Sequence, residues 1–199
     1  MPKPDNFTPR QLSGRNRRLL HEWKAMDEQL SERNDIRYSV LKYNADGLPV
    51  SYQIDYRLTS ICGVEQEDQL DNPNIPNPPR FADIFVMQIT IPPGYPCVDA
   101  APSYRFLTTG PDGQDIPHPW HPNIRYHGAF AGRVCLNQQD TYADIVWAVK
   151  RIAGYLTYER YHAKNQPPYP EDLTVARWVI EQGEPNGWIF FNQKNNCTL

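Results

Sequence analysis

The sequence lacks the features that mark an exported or membrane-spanning protein. Residues 1–20 contain no apolar signal segment, and no later run approaches the roughly 18 consecutive apolar residues of a membrane span. The four cysteines lie far apart, and they form neither the dense framework of a secreted disulfide scaffold nor a C-x-x-C metal motif. These absences predict a cytoplasmic protein with free thiols.

An excess of charge of one sign is also missing. The 199 residues include 20 basic and 23 acidic side chains, which gives a net charge of −3. This balance provides no electrostatic reason to expect a nucleic acid or an anionic membrane as a partner. A Gly-rich phosphate-binding loop is absent too, since the nearest stretch, Thr109 to Gly113, is typical of a turn. We therefore exclude nucleotide chemistry and expect no cofactor.

A helix is predicted near the N-terminus. Thr8-Pro9-Arg10-Gln11 combines a capping hydroxyl, a proline in the first turn and a glutamine three residues after the threonine. The helix should run to about Ser31 with one apolar stripe, formed by Leu12, Leu19, Trp23, Met26 and Leu30. The other face is basic and is either simply solvated or a docking surface for a partner. Its cations are Arg10, Arg15, Arg17, Arg18 and Lys24.

Alternating apolar residues then predict four strands. The first hairpin turns at Asn44–Gly47, and the inward residues of its second strand are Tyr52, Ile54, Tyr56 and Leu58. The third strand carries Phe85, Met87, Ile89 and Ile91, and the fourth carries Tyr104 and Phe106. Because no long helix separates these strands, they predict an antiparallel meander.

Helical spacing returns in the C-terminal third of the chain. Ile145, Val149, Ile152 and Leu156 follow a Thr141-x-x-Asp144 start, and a further helix is predicted from Pro170 to Gln182. We expect one α+β domain over residues 1–199: an N-terminal helix, a four-stranded antiparallel meander, a long loop and C-terminal helices. Residues 184–199, which include Trp188 to Phe191, would form a docked or flexible tail.

The long loop between Thr108 and Cys135 is the first candidate for chemistry. It is aperiodic yet rich in rigid residues, and 12 of the 20 prolines fall between Pro73 and Pro122. Cys135 ends this loop and is either a reactive thiol or a buried structural cysteine. A cysteine hydrolase would need a base from His118, His121, His127 or His162. A zinc site would use the first three of these histidines with Cys135, although their spacing matches no zinc motif.

Several motifs in order resemble ubiquitin-conjugating enzymes over nearly the whole chain. They are Ile91-Pro92-Pro93-Gly94-Tyr95-Pro96, Pro102-Ser103-Tyr104-Arg105-Phe106-Leu107-Thr108, His121-Pro122-Asn123-Ile124, Gly128 and Val134-Cys135-Leu136. The resemblance implies the UBC fold and a thioester role for Cys135, which would accept a ubiquitin-like modifier from an activating enzyme. The modifier would then pass to a lysine of a target protein, with or without a ligase. No metal and no cofactor are implied.

The resemblance also implies roles around the cysteine. Asn123 would stabilise the negative charge that builds on the thioester carbonyl during attack by the lysine, or fix the loop that does so. His121 is expected to fasten the loop. Because a lysine amine is almost fully protonated at neutral pH, an acid nearby should help it lose its proton, and Asp140 and Asp144 are the candidates. The first helix of this family helps to dock the activating enzyme, which strengthens the docking interpretation of the basic face.

The chain departs from the common family pattern in three places. Ala129-Phe130-Ala131 lengthens the stretch from His121 to Cys135, segment 96–102 carries an insertion, and the usual tryptophan motif after the cysteine is absent, with Tyr142 in its place. These departures suggest a divergent member, and a bacterial one would fit a dedicated conjugation system such as one in antiphage defence. The alternative function is a non-catalytic module of the same fold that binds ubiquitin-like proteins. The presence of both Cys135 and Asn123 favours the enzyme.

Overall fold

Three α-helices and four strands form the fold of the described residues. The computed structural model describes residues 3–72, 74–97, 99–136, 144–164 and 166–189. The elements in order are α1 (Gly14–Leu30), β1 (Ile36–Tyr43), β2 (Pro49–Val64), β3 (Pro79–Thr90), β4 (Ser103–Phe106), α2 (Ile145–Leu156) and α3 (Leu173–Trp178). Each strand pairs antiparallel with its neighbour in sequence, in the order β1-β2-β3-β4. The predicted α+β class, with an N-terminal helix, a meander, a long loop and C-terminal helices, is confirmed.

The main core lies between the inner face of the sheet and helices α1 and α2. The predicted inward residues of β2 and β3 are fully buried, namely Tyr52, Ile54, Tyr56, Phe85, Met87 and Ile89. Leu58 is only partly buried, because a register shift between Arg57 and Ser60 interrupts the alternation. The helical stripes face the same core, and full burial of each such side chain contributes about 1.5–3 kcal/mol. Their members are Leu19, Trp23, Met26, Leu30, Ile145, Val149, Ile152 and Leu156.

Helix α1 begins later than the sequence predicts. Pro9–Gln11 form an isolated 3₁₀ turn, the Thr8 side chain makes no capping bond, and Leu12 returns to extended backbone. Ser13 caps the helix instead, since its hydroxyl accepts the Asn16 N–H at 3.3 Å. The Thr8-Pro9 signal therefore starts a single turn, and Leu12 packs partly against the core from outside the helix.

The start of helix α3 also needs correction. The predicted start at Pro170 is wrong, because Asp172 is the N-cap and its Oδ1 accepts the N–H groups of Thr174 and Val175. The helix continues into a π-helical turn at Val179–Gly183. Helix α2 begins at Ile145 with Asp144 at its N-cap, whereas the Thr141-x-x-Asp144 motif predicts a cap at Thr141, which lies outside the described residues.

A second, smaller core orders the long loop. Trp120 and Tyr126 of the loop pack with Trp178, Val175 and Val179 beneath the end of β2. The segment after α3 joins this cluster, since Trp188 stacks on Trp178 with ring centroids 6.2 Å apart and Ile189 is buried. Phe190 and Phe191 lie outside the described residues. Within the described ranges, no helix combines the length and apolar character needed to cross a membrane.

Candidate active site

The two ends of the loop segment from His121 to Cys135 pair with each other. The Arg125 N–H donates to the Arg133 carbonyl at 2.9 Å, and the Cys135 N–H donates to the Asn123 carbonyl at 2.8 Å. Ile124 and Val134 form an antiparallel bridge between these bonds and are both buried. The pairing brings Cys135 and Asn123 side by side.

The Cys135 thiol is open to solvent while its backbone is held. Its Sγ makes only a weak contact of 3.9 Å with the Leu136 carbonyl, and Cys62 and Cys97 are free thiols as well. Partial burial raises the pKa of Cys135, the negative charge of Glu171 raises it further, and the positive charge of Arg133 lowers it. The group is therefore mainly a neutral thiol at neutral pH. Such a thiol resists oxidation, because the thiolate is the reactive form.

Asn123 connects the loop to the segment after α2. Its N–H donates to Nδ1 of His121 at 3.1 Å, and its Oδ1 accepts the N–H of His162 at 2.9 Å. Within the described ranges, no hydrogen bond involves its Nδ2 group. Asn123 thus does more than stabilise its own turn, because its side chain reaches a different part of the chain.

His121 anchors the loop through hydrogen bonds of its buried ring, as expected. Its ring is fully buried, its Nδ1 accepts the Asn123 N–H, and its Nε2 therefore carries the proton that it donates to the Arg160 carbonyl at 3.0 Å. The ring also stacks on Tyr155, with centroids 5.0 Å apart. Burial lowers the pKa of His121 to about 3. The imidazole is neutral at physiological pH, and both of its nitrogens are engaged by backbone groups of the loop and of the segment after α2.

Asp144, one of the two acids named from the sequence, is engaged by side chains of helix α1. Asp144 accepts from Arg18 Nη2 at 2.8 Å and lies 3.5 Å from His21 Nε2, so its carboxylate faces helix α1. It occupies the N-cap position of α2 without a capping bond from its side chain. Asp140 lies outside the described residues.

The negative charge that raises the pKa of Cys135 belongs to Glu171, an acid that no sequence pattern indicates. Glu171 Oε1 accepts from Arg133 at 3.0 and 2.7 Å and from Arg125 at 3.3 Å. The next residue, Asp172, donates its N–H to the Pro122 carbonyl at 2.9 Å, and its Oδ2 accepts the Tyr126 N–H. Only Asp172 carries a sequence signal, as a helix-capping residue type. The proximity of Glu171 to the loop comes from tertiary packing, which periodicity does not encode.

The two alternative uses of the histidines are not supported by the geometry. The ring nitrogens of the other three histidines contact groups other than Cys135. Nε2 of His118 contacts the Tyr126 carbonyl, Nε2 of His127 lies 3.7 Å from Glu67, and Nε2 of His162 contacts the Pro168 carbonyl. In the part of the chain that the structure describes, no group of three or more His, Cys, Asp or Glu side chains could hold a metal ion. The four residues considered as zinc ligands, His118, His121, His127 and Cys135, therefore do not form such a group.

The basic face of α1 is smaller than predicted. Arg10 lies in the 3₁₀ turn before the helix, and Arg18 is turned toward Glu22 and Asp144. Lys24 lies 4.0 Å from Asp5, and Arg15 reaches the Pro92 carbonyl at 3.4 Å. Arg17 is the exposed helical cation of this group.

Solved structures of ubiquitin-conjugating enzymes are similar to this chain. The E2 domain of a Toxoplasma gondii ubiquitin-conjugating enzyme is 20% identical, with a TM-score of 0.47 and coverage of 84% of this chain and 88% of that one. A candidate ubiquitin-conjugating enzyme from Plasmodium yoelii is 21% identical, with a TM-score of 0.47 and coverage of 90% and 95%. Human ubiquitin-conjugating enzyme E2 G1 is 14% identical, with a TM-score of 0.41 and coverage of 75% and 97%. No protein-family model and no curated protein sequence matches the chain.

Proposed function

We propose that this protein is a conjugating transferase for a ubiquitin-like modifier, with Cys135 as the acyl carrier. The observation that carries the proposal is an exposed thiol whose backbone is bonded to Asn123, at the end of a loop built on a buried histidine and a second core. A carrier thiol must be accessible to two large proteins in turn, and its position must be fixed by the scaffold.

The two steps balance as acyl transfers. In loading, the Cys135 sulfur attacks the thioester carbonyl on the activating enzyme and gives up its proton, and the thiolate of the activating enzyme leaves. In discharge, the amine of a target lysine attacks the new thioester and loses a proton, and the Cys135 thiolate leaves and is reprotonated. Asn123 Nδ2 is a neutral donor suited to the oxyanion that forms in the second step.

The raised pKa of Cys135 is compatible with this role. The acyl donor is itself an activated thioester, so a small thiolate fraction is sufficient for exchange. The partners are a modifier protein, an activating enzyme and a target protein, with a ligase as a further participant in some reactions. The exposed Arg17 side of α1 is the surface proposed for the activating enzyme.

The test uses two exposed cysteines as a matched pair. Tagged wild type, Cys135→Ala and Cys97→Ala are expressed in the organism that encodes the protein, and each is compared on non-reducing and reducing gels with mass spectrometry of shifted bands. We expect a reductant-sensitive adduct on the wild type and Cys97→Ala, and none on Cys135→Ala. Peptides from the adduct identify the modifier.

Two results would reject the proposal. An adduct that persists on Cys135→Ala would place the acyl group elsewhere. No adduct on the wild type, in cells that contain the activating enzyme, would favour a binding module without transferase activity.

A further inference from the structure

An exposed aromatic ring stands on the loop that leads to Cys135. Phe130 is 59% exposed, and its ring lies under the guanidinium of Arg133 at 4.8 Å. Arg133 is two residues from Cys135 and binds Glu171. Two further exposed apolar side chains, Tyr169 and Leu173, flank Glu171 along the chain. We call Phe130, Arg133, Tyr169 and Leu173 the acceptor surface.

The loop that carries Phe130 is held rigidly in its exposed position. Gly132 has a φ of +83°, and a Cβ at this position would lie 2.0 Å from the Phe106 carbonyl oxygen, so the backbone makes a close approach that only glycine permits. Arg105 donates to the carbonyls of Ala131 and Ala129 at 2.9 and 3.3 Å. The exposure of Phe130 is therefore a property of an ordered loop, and its apolar surface is available without rearrangement.

The opposite side of the acceptor surface is fixed to the same loop. The ion pair between Glu171 and Arg133 and the Asp172 to Pro122 backbone bond join residues 169–173 to the segment that contains Asn123 and Cys135. Exposed apolar and arginine side chains on segments that are fixed to each other are typical of protein-binding sites.

The accessible charge of this surface is positive, although the whole chain carries −3. The side chain of Arg133 is 49% exposed and that of Arg125, which also binds Glu171, is 38% exposed, whereas that of Glu171 is 10% exposed. Asp172 is buried and is engaged by backbone N–H groups. An approaching molecule thus meets the arginines first. A segment that presents a positively charged lysine is repelled here unless acidic neighbours compensate.

We propose that the acceptor surface selects target lysines that have acidic and apolar side chains close by in the target. This inference rests on the proposed function and names the substrate class of its second step. The acidic groups would pair with the exposed guanidinium groups, and the apolar side chain would contact Phe130, Tyr169 or Leu173. The lysine then lies beside the thioester on Cys135.

The first experiment measures binding without any transfer. Three ten-residue peptides each contain one lysine and one leucine and differ in their remaining charged or polar residues. These residues are aspartate and glutamate in the acidic peptide, glutamine in the neutral peptide and arginine in the basic peptide. Each is titrated into the ¹⁵N-labelled protein and followed by NMR. We expect the acidic peptide to bind at least about tenfold more tightly than the other two, with amide shifts at residues 128–133 and 171–174. Equal binding of all three, or shifts elsewhere, would overturn the proposal.

A matched pair of phenylalanines provides the control. Phe130→Ala should weaken binding of the acidic peptide several-fold, whereas Phe81→Ala should not, since Phe81 is 58% exposed on β3 and outside the acceptor surface. Equal effects of the two variants would overturn the assignment of Phe130.

The second experiment measures transfer and separates this inference from the proposed function. The protein loaded with its modifier is mixed with each peptide, and discharge is followed in a single turnover. We expect faster discharge to the acidic peptide and slower discharge by Phe130→Ala with unchanged loading. Failure to form any thioester on Cys135 would reject the proposed function. Equal discharge to all peptides, or a Phe130→Ala defect in loading alone, would overturn only the acceptor surface.

Discussion

At the residue scale, the reactivity of Cys135 depends on two neighbours of opposite charge. Partial burial raises the pKa of the thiol, Glu171 raises it further and Arg133 lowers it. Glu171→Gln removes the negative charge and leaves the charge of Arg133 uncompensated, so the pKa of Cys135 should fall. A lower pKa would speed alkylation by iodoacetamide at pH 8, because the thiolate is the form that reacts. Peptide-resolved mass spectrometry measures the rate, with Cys97 in the same sample as the reference. A slower or unchanged rate would contradict the assigned effect of Glu171.

The two roles suggested for Asn123, stabilisation of the oxyanion and fixation of the loop, can be separated by substitution. Asn123→Ala removes both the acceptor for the His162 N–H and the Nδ2 donor, whereas Asn123→Asp keeps the acceptor and removes the donor. If the amide stabilises the oxyanion, both variants should slow discharge to lysine by about 10²–10³-fold. Because aspartate also adds negative charge near the thiol, the variants are compared in discharge, after the thioester has formed. Recovery of discharge by Asn123→Asp would instead show that the loop bond is what matters.

The residues of the candidate site differ in how far the sequence could predict them. Cys135 and Asn123 stand in short motifs, which is why the sequence could name them and expect them together. Glu171 has no such signal, because it reaches Arg133 and Arg125 only through the packing of the segment before α3. Asp144 was named from its proximity in sequence to the cysteine, and the structure turns its carboxylate toward α1.

At the element scale, a buried carboxylate joins α1 to the start of α2. Glu22 is fully buried, and its Oε1 accepts from Arg18 Nε at 2.6 Å and from the Tyr95 hydroxyl. Its Oε2 accepts the Ile145 N–H at 2.7 Å, so it satisfies a free N–H at the first turn of α2, where the Asp144 side chain does not. Arg18 is therefore part of the structure that sets the position of α2 after the cysteine loop.

Because Arg18 pairs with the buried Glu22 whereas Arg17 is exposed, charge reversal at these two neighbouring arginines should have different effects on stability and on loading. Arg18→Glu leaves Glu22 without its cation and should reduce the free energy of unfolding by about 3 kcal/mol, the lower end for buried pairs because Arg18 keeps contact with solvent. Arg17→Glu, at an exposed position, should change it by less than about 0.5 kcal/mol and should slow loading of Cys135 if α1 docks the activating enzyme. Urea unfolding and loading kinetics test the two variants together. Normal loading by a folded Arg17→Glu protein would mean that this face is only solvated.

The helices and strands could be predicted from the sequence where one of their faces is buried along its whole length, but the residues at which the helices begin could not. The alternation in β2 and β3 and the stripes of α1 and α2 identify the core because burial dictates their period. Helix starts depend on competing local caps. Thr8 and Ser13 are both good capping residues, and the choice of Ser13 depends on where Leu12 meets the core.

At the scale of the whole molecule, His121 lies between the two cores. Its ring stacks on Tyr155 of the main core and lies 4.9 Å from Tyr158 of the second core. The sequence indicates that the proline-rich loop is ordered, but its aromatic residues have no period from which a second core could be predicted. Because Cys135 and Asn123 are carried by this loop, the stability of the junction and the geometry of the candidate site depend on the same buried imidazole.

The buried imidazole also predicts how the stability of the protein responds to acid. The pKa of His121 is about 3 in the folded protein and 6.5 as an ordinary histidine, so between these values the unfolded chain binds a proton that the folded chain excludes. Stability from this group is present above about pH 6.5 and falls as the pH is lowered, by up to about 1.4 kcal/mol per pH unit, or about 3 kcal/mol at pH 4.5. His121→Gln removes the titrating group, and other groups contribute equally to both proteins. Between pH 7.5 and 4.5, the free energy of unfolding measured with urea should therefore fall more steeply for the wild type than for the variant. A loss of stability in the variant that does not depend on pH leaves this difference in slope unchanged. Parallel slopes would mean that the imidazole becomes protonated without unfolding, and that the junction between the cores opens to water.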